Sequence, residues 1–124
     1  MLLNLSKEED RLKIWEKAIK IDGFNPEKYR QDVCGAWIAY SRYGDRNNMY
    51  GWEIDHIYPR SRGGNDDERN LRAMHWRNNE SKGNDYPHYE SVVIADGNRN
   101  IDRNVSFTVN EATRKILLEE FGYD

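Results

Sequence analysis

Apolar residues recur at helical spacing near the start of the chain, at Leu12, Trp15 and Ile19. This spacing is typical of one face of an amphipathic helix. Ser6 precedes Glu9 by three positions, which matches the capping box that opens many helices. We therefore expect a helix over residues 7–20 and a short helical turn over residues 26–29, both serving as scaffold.

The middle of the chain alternates between runs rich in β-branched and aromatic residues and polar loops. The predicted strands span residues 33–40, 50–58 and 71–74. A polar loop with Gly63-Gly64 at its centre separates the last two strands over residues 59–69. A helix is predicted to follow over residues 75–82, and Gly83 is well placed to end it.

The last third of the chain predicts a hairpin followed by a helix. Its strands span residues 91–95 and 105–109. Asp96-Gly97-Asn98 supplies the turn. Asn110 is a favourable cap for a helix over residues 111–121, and Gly122 would terminate it. The expected core-facing stripe of this helix consists of Ala112, Ile116, Leu117 and Phe121.

Length and composition favour one folded domain. A chain of 124 residues can bury a single core, and its 12% aromatic content supplies large apolar side chains despite 33% charged residues. The predicted elements give an α+β domain over residues 1–124, with a catalytic core at about 33–84 and a C-terminal extension at about 88–124. No run approaches the length of a membrane span and no signal peptide is recognisable, so a cytoplasmic protein is expected.

Charge and cysteine content narrow the possible functions. The net charge of −3 argues against binding nucleic acid through overall charge alone, so a local basic face or a partner must position such a substrate. A single cysteine, Cys34, excludes an internal disulfide and an all-cysteine zinc site.

Residues 51–84 contain four side chains suited to phosphodiester hydrolysis: Asp55, His56, Asn70 and Asn79. A hard divalent ion prefers oxygen ligands, which Asp55 and Asn79 would supply as a carboxylate and an amide carbonyl. A neutral His56 beside the ion could accept a proton from water. Because neighbouring side chains of a regular strand point to opposite faces, this chemistry predicts that the strand ends or bends at Asp55-His56.

The runs IDHIYPRSRGG and NLRAMHWRNNESKG resemble an HNH nuclease domain of the ββα-metal type, over about a quarter of the chain. The resemblance implies that Asp55 and Asn79 bind the metal and that His56 is the general base. It implies that Asn70 braces the loop after the first strand through hydrogen bonds to backbone. Lys82 lies where the family commonly has a basic residue that approaches the substrate backbone.

Other charged residues and histidines could contact substrate or serve the structure. Arg60, Arg62 and Arg77 are candidates for contacts with neighbouring phosphates, although charged side chains in a loop are often simply solvated. His75 precedes Asn79 by four positions, which is ligand spacing on a helix, but a structural role is the favoured interpretation. His88 is expected at the surface.

Many members of the family are braced by a zinc ion held by two Cys-x-x-Cys pairs. The corresponding positions in this chain are Cys34, Trp37, His75 and Asn78. Only Cys34 and His75 are plausible ligands, so we expect no structural zinc. The hypothesis in its place is that Trp37, Trp52 and Trp76 pack together there.

The resemblance implies a small endonuclease that hydrolyses DNA with one divalent ion, most simply Mg²⁺, with Mn²⁺ or Ni²⁺ as alternatives. RNA remains an alternative substrate. Two other functions stay open. One is a nucleic-acid-binding module that keeps the fold without turnover, and the other is the nuclease effector of a bacterial toxin system, whose partner would be an acidic immunity protein.

Overall fold

The computed structural model describes all 124 residues as a mixture of three α-helices and six strands. The helices are α1 (Glu8–Trp15), α2 (Trp76–Lys82) and α3 (Glu111–Phe121). The strands are β1 (Tyr29–Gln31), β2 (Trp37–Ala39), β3 (Trp52–His56), β4 (Leu71–His75), β5 (His88–Asp96) and β6 (Arg99–Thr108). Three two-stranded antiparallel sheets result, β1-β2, β3-β4 and β5-β6. The predicted α+β class is confirmed.

Helix α1 is shorter than predicted, and its first turn is built differently. The predicted capping box is wrong, because the Ser6 hydroxyl donates to Asn4 Oδ1 at 2.6 Å and the residue at the cap position is Lys7, whose side chain makes no capping bond. The helix stops at Trp15, where the indole is buried and donates through Nε1 to the Pro26 carbonyl. A turn replaces the expected last residues of the helix.

The central unit is the β3-β4 hairpin with α2 following directly from β4. The register is regular from Trp52 opposite His75 to His56 opposite Leu71. The loop between these strands contains two 3-10 turns, and α2 folds back against the hairpin. Strand β2 covers only part of the predicted run 33–40, since residues 33–35 form a turn. Strand β1 was not predicted.

The C-terminal elements include the predicted hairpin and helix, but the second strand of the hairpin begins at Arg99 and not at residue 105 as predicted. β5 and β6 pair over most of their length around Gly97, and β5 packs against α2. Asn110 Oδ1 accepts the Thr113 N–H at 2.8 Å, and α3 ends at Gly122 in the left-handed conformation. Of the predicted apolar stripe, Leu117 is fully buried, whereas Ile116 is 46% exposed.

Two apolar clusters lie on opposite sides of the β3-β4 hairpin. The first joins α1 to the hairpin and contains Leu3, Ile14, Trp15, Ile38, Trp52, Leu71 and Ala73. The second joins the hairpin to the C-terminal elements and contains Cys34, Ile57, Met74, Tyr86, Tyr89, Val109 and Leu117. The hairpin is therefore the shared wall of both clusters. No helix has the length and apolar character needed to cross a membrane.

Candidate functional site

The alternation of β3 distributes the candidate site over two faces. Glu53 and Asp55 point toward α2, where they contact Asn79 and Lys82 respectively. His56 points to the other face, where it contacts Asp66. The strand ends at His56, but its regular register continues through Asp55 and His56, so the chain does not bend between them. The hairpin thus separates the two side chains that were expected to share one site.

Asp55 lies in a buried ion-pair cluster with only 3% of its side chain exposed. Its Oδ2 accepts from Arg72 Nε at 2.9 Å, and its Oδ1 lies 3.2 Å from Lys82 Nζ. Burial opposes the positive charge of Arg72, but the Asp55 carboxylate outweighs that effect and raises the Arg72 pKa. Burial lowers the pKa of Lys82 although Asp55 acts against it. The carboxylate is consequently neutralised from both sides by the protein's own cations.

Lys82 therefore lies elsewhere than the resemblance implied. Its side chain is fully buried, and Nζ donates to the carbonyls of His56 and Ile57 at 3.2 and 3.1 Å. An ammonium so enclosed cannot reach a substrate phosphate in this conformation. Its position at the end of α2 explains the burial, because the last turn of the helix lies over the end of β3.

His56 is held by a carboxylate that sequence reasoning missed. Its Nε2 lies 2.7 Å from Asp66 Oδ1, and Asp66 Oδ2 accepts from Arg60 Nη2 at 3.3 Å. Because an ionised carboxylate only accepts hydrogen bonds, Nε2 carries the proton of the neutral ring, which leaves the lone pair on Nδ1. Nδ1 has no protein partner. This is the tautomer of a general base whose second nitrogen is free for a water molecule.

Asn70 ties the loop to the end of β3 through three hydrogen bonds to backbone. Its Oδ1 accepts from the Tyr58 N–H at 2.8 Å, and its Nδ2 donates to the carbonyls of Tyr58 and Asn65 at 3.2 and 3.0 Å. The side chain is fully buried. These contacts have the pattern expected of a loop brace, and they fix the chain that carries both His56 and Asp66.

Asn79 faces Glu53, a second residue that sequence reasoning missed. Asn79 Nδ2 donates to Glu53 Oε1 at 3.1 Å, while Asn79 Oδ1 has no protein donor. Arg46 binds both Glu53 oxygens at 2.7 and 2.9 Å. Burial would raise the Glu53 pKa, but the hydrogen bonds from Arg46 and Asn79 lower it. Glu53 could have been predicted from the sequence, because it lies two residues before Asp55 and residues two apart on a strand share a face.

The three arginines that were predicted to contact phosphates lie in different surroundings. Arg60 is 72% exposed at the edge of the His56–Asp66 pair. Arg62 donates to the Tyr86 carbonyl at 3.3 Å, and Arg77 is paired with Asp102 at 2.6 Å. Arg60 is therefore the arginine that the structure brings beside His56.

A buried carboxylate, that of Asp32, lies at the position that corresponds to the zinc site of many HNH family members. Asp32 Oδ1 accepts the N–H groups of Cys34 and Ala36 at 3.0 and 2.9 Å. Asp32 Oδ2 accepts from the His75 N–H and from Asn78 Nδ2 at 3.0 and 3.1 Å. These four bonds join the turn before β2 to the start of α2. Burial raises the Asp32 pKa, and the hydrogen bonds act in the opposite direction.

The predicted tryptophan cluster at this position is wrong. Trp37 packs against Phe24, Trp52 packs against Trp15, and Trp76 stacks on His75. Each indole N–H also has its own carbonyl partner: Gly97 for Trp37, Tyr40 for Trp52 and Asn48 for Trp76. Polar bonds from Asp32 and Asn78, rather than indole packing, connect the elements here.

His75 and Cys34 have structural surroundings. His75 Nδ1 accepts the Arg77 N–H at 3.1 Å, and its Nε2 lies 2.8 Å from the Met49 carbonyl oxygen. His75 therefore caps α2 in its neutral form. Burial raises the pKa of the Cys34 thiol to about 12, so it stays protonated.

A β-hairpin followed by a helix that folds across one of its faces defines a ββα unit. The model of the HNH endonuclease family matches residues 33–85, which include β2, β3, β4 and α2. This segment is an HNH domain, and the resemblance is confirmed. The family generally consists of nucleases that act on nucleic acids and use a divalent metal ion. Comparisons with curated proteins and with solved structures gave no match.

The donor chemistry on the α2 face of β3 fits such an ion. Asp55 and Glu53 contribute carboxylates to this face, and Asn79 contributes the unpartnered Oδ1. These are the oxygen donors that Mg²⁺ and Mn²⁺ prefer. No group of three histidine, cysteine or acidic side chains is assembled for a metal ion. Lys82 and Arg72 already bind the oxygens of Asp55, so an ion there competes with them.

Proposed function

We propose that this protein is a metal-dependent endonuclease that hydrolyses DNA phosphodiester bonds. The observation that carries the proposal is the His56–Asp66 pair at the end of β3, with Nδ1 free of protein partners. The pair lies within the HNH domain and is fixed by the hydrogen bonds of Asn70. A positioned histidine with an open nitrogen is the group that proton abstraction from water requires.

In the proposed mechanism, His56 Nδ1 accepts a proton from the attacking water while Asp66 holds the ring through Nε2. Asn70 keeps the loop in place. Asp55 and the Oδ1 of Asn79, on the α2 face of β3, are the proposed ligands of a divalent ion, with Mg²⁺ first and Mn²⁺ or Ni²⁺ as alternatives. Because His56 is the last residue of β3 and points to the other face, the proposal requires the phosphate to lie across the end of the strand, between the ion and His56. When bound, the ion stabilises negative charge on the phosphate as a Lewis acid.

Substrate contact in this proposal begins with Arg60, because it is exposed and adjacent to His56. Arg62 and Arg77 are proposed as further phosphate contacts. The net charge of −3 makes a confined basic edge, or a positioning protein, necessary for productive binding.

The test is cleavage of a supercoiled plasmid in Mg²⁺, Mn²⁺, Ni²⁺ and EDTA. Wild type should nick or linearise the plasmid with at least one ion and remain inactive in EDTA. His56→Ala should lose activity by about a hundred- to ten-thousand-fold, the usual contribution of a general base. His88→Ala is the matched control, because His88 is exposed and bonds only to Thr108. An intact plasmid with all three ions contradicts the proposal.

One observation favours a second function. Asp55 is already neutralised by Lys82 and Arg72, as in a structural ion pair. A catalytically silent nucleic-acid-binding module would need no free carboxylate there. For that function, gel-shift binding of DNA would persist with no cleavage, and His56→Ala would leave binding unchanged.

A further inference from the structure

Lys82 Nζ occupies a cluster of three oxygen atoms. One is Asp55 Oδ1 at 3.2 Å, and the others are the carbonyl oxygens of His56 at 3.2 Å and Ile57 at 3.1 Å. An ammonium group has three N–H donors, so this cluster satisfies it completely. A carboxylate together with backbone carbonyls is also the donor set that hard cations choose. The cluster is therefore a cation site that the protein fills with its own side chain.

A second cation makes the cluster less favourable for an additional ion. Arg72 Nε binds Asp55 Oδ2 at 2.9 Å, and Arg72 Nη2 is buried without a hydrogen-bond partner. Two positive charges thus share one negative charge. A divalent ion added beside both would meet strong repulsion, whereas an ion that displaces Lys82 meets only Arg72.

We propose that Lys82 is a built-in competitor of the catalytic ion, and that a divalent ion binds Asp55 only when the Lys82 ammonium leaves it. The inference rests on the proposed function in one respect, the role of Asp55 as an ion ligand. Lys82 is the last residue of α2 and precedes Gly83, so the residue that must move lies at the end of the helix.

The first test measures binding of Mn²⁺ alone to the full chain by titration calorimetry. Lys82→Met removes the ammonium and keeps the apolar stem, and Lys82→Gln keeps a neutral donor for the carbonyls. Both variants should bind Mn²⁺ at least about tenfold more tightly than wild type, because the competing charge is gone. Lys115→Met, at an exposed position of α3, should bind like wild type. Circular dichroism establishes that each variant is folded.

The second test uses the wild-type chain and so does not depend on the folding of a variant. A buried, hydrogen-bonded lysine ammonium gives a protected nitrogen-15 NMR signal. Saturating Mg²⁺ should shift or abolish the signal of Lys82. The signal of Lys17, whose Nζ donates to the Glu68 and Leu71 carbonyls, should stay unchanged as an internal reference.

Asp55→Asn distinguishes the two proposals. If this variant loses Mn²⁺ binding while the Lys82 variants bind no more tightly than wild type, the competitor role of Lys82 is overturned and the metal site stands. An unchanged Lys82 signal at saturating Mg²⁺ also overturns the competitor role of Lys82. If Asp55→Asn binds Mn²⁺ as wild type does, the ion lies elsewhere, and the Lys82 inference fails together with the proposed ligand.

Discussion

The His56 ring has two different nitrogens in this structure, one bonded to Asp66 and one free of protein partners. The chemistry proposed for the ring depends on this difference, because only the correct tautomer presents a lone pair to water. Asp66 follows Gly63-Gly64 in the loop, and the loop is in turn held by Asn70. A residue ten positions from His56 thus holds the orientation of its ring.

Asp66→Ala should lower the rate of plasmid cleavage by about ten- to a hundredfold, part of what a general base contributes. DNA affinity should not decrease, because the loss of Asp66 frees Arg60, the proposed phosphate contact. Asp66→Asn should lose less, since the amide oxygen can still accept from Nε2. Asp22→Ala, at an exposed turn, is the control. Wild-type cleavage by Asp66→Ala would remove Asp66 from the mechanism.

Gly64 is required by a close approach of the chain to Tyr58. A Cβ at position 64 would lie 1.8 Å from the Tyr58 carbonyl oxygen and 3.0 Å from Asn70 Nδ2. Gly64→Ala should therefore destabilise the fold by about 2–3 kcal/mol through overpacking. Gly63 is the matched comparison, since it has φ +99° and no atom within 4 Å of its Cβ position. Gly63→Ala should cost only about 1–2 kcal/mol from backbone strain.

Urea unfolding of the two glycine variants gives this comparison directly. The expected order is wild type, then Gly63→Ala, then Gly64→Ala as the least stable. Equal stabilities, or the reverse order, would mean that the loop shifts freely and that Asn70 does not hold it rigidly.

At the scale of elements, the sequence predicted correctly those helices and strands whose formation depends on local interactions. The second hairpin and α3 follow from turn residues and from the Asn110 cap, and the structure has both. Helix α1 ends earlier than predicted, and the carbonyls of Glu16 and Ala18 beyond its end accept hydrogen bonds from Arg30, tertiary contacts that helical periodicity does not contain. Strand β1 has only three residues and depends on its pairing with β2, so no local pattern marks it.

In the candidate site, too, local features were predictable and contacts between elements were not. The resemblance of the runs IDHIYPRSRGG and NLRAMHWRNNESKG to HNH nucleases implied a ββα unit, and residues 33–85 match the HNH family. The partners of these side chains were not predictable, because they come from other elements. Lys82 reaches Asp55 from the far end of α2, and Asp66 reaches His56 from the loop. Such contacts depend on how the helix and loop pack against the hairpin.

Helix α2 begins with a titratable cap, and its stability should depend on pH. Burial lowers the His75 pKa from its ordinary value of 6.5, although Asp32 and Glu53 oppose the shift and Arg77 adds to it. Below that ordinary pKa the unfolded chain takes up a proton that the folded chain resists. Stability should therefore be fully present above about pH 6.5 and fall as the pH decreases toward the folded pKa.

His75→Asn tests this dependence, because asparagine also caps helices but does not titrate. The free energy of unfolding from urea curves should depend less on pH between about 5 and 7 in the variant than in wild type. All other titrating groups are common to both proteins, so the difference isolates His75. Parallel pH profiles would show that His75 is protonated equally in both states.

At the scale of the whole molecule, the C-terminal extension forms a large part of the second cluster. Tyr89, Val109 and Leu117 pack in it with Ile57 and Met74 of the HNH segment. Asn78 of α2 adds polar bonds, since its Oδ1 accepts the N–H groups of Val92 and Val93, both at 2.9 Å. The end of β3 that carries His56 is thus supported from one side by residues outside the HNH segment.

Leu117 and Leu118 allow this support to be tested with neighbouring positions of one helix. Leu117 is fully buried, so Leu117→Ala should cost about 2–5 kcal/mol of unfolding free energy. Leu118 is 51% exposed, so Leu118→Ala should change the unfolding free energy by no more than about 0.5 kcal/mol. Hydrogen exchange at the Ile57 N–H, which is bonded to the Asn70 carbonyl at 2.8 Å, reports on the HNH segment. If extension and HNH segment unfold together, Leu117→Ala accelerates that exchange by a factor equivalent to its full loss of stability. Exchange at Ile57 that stays at the wild-type rate would instead make α3 a separately unfolding appendage.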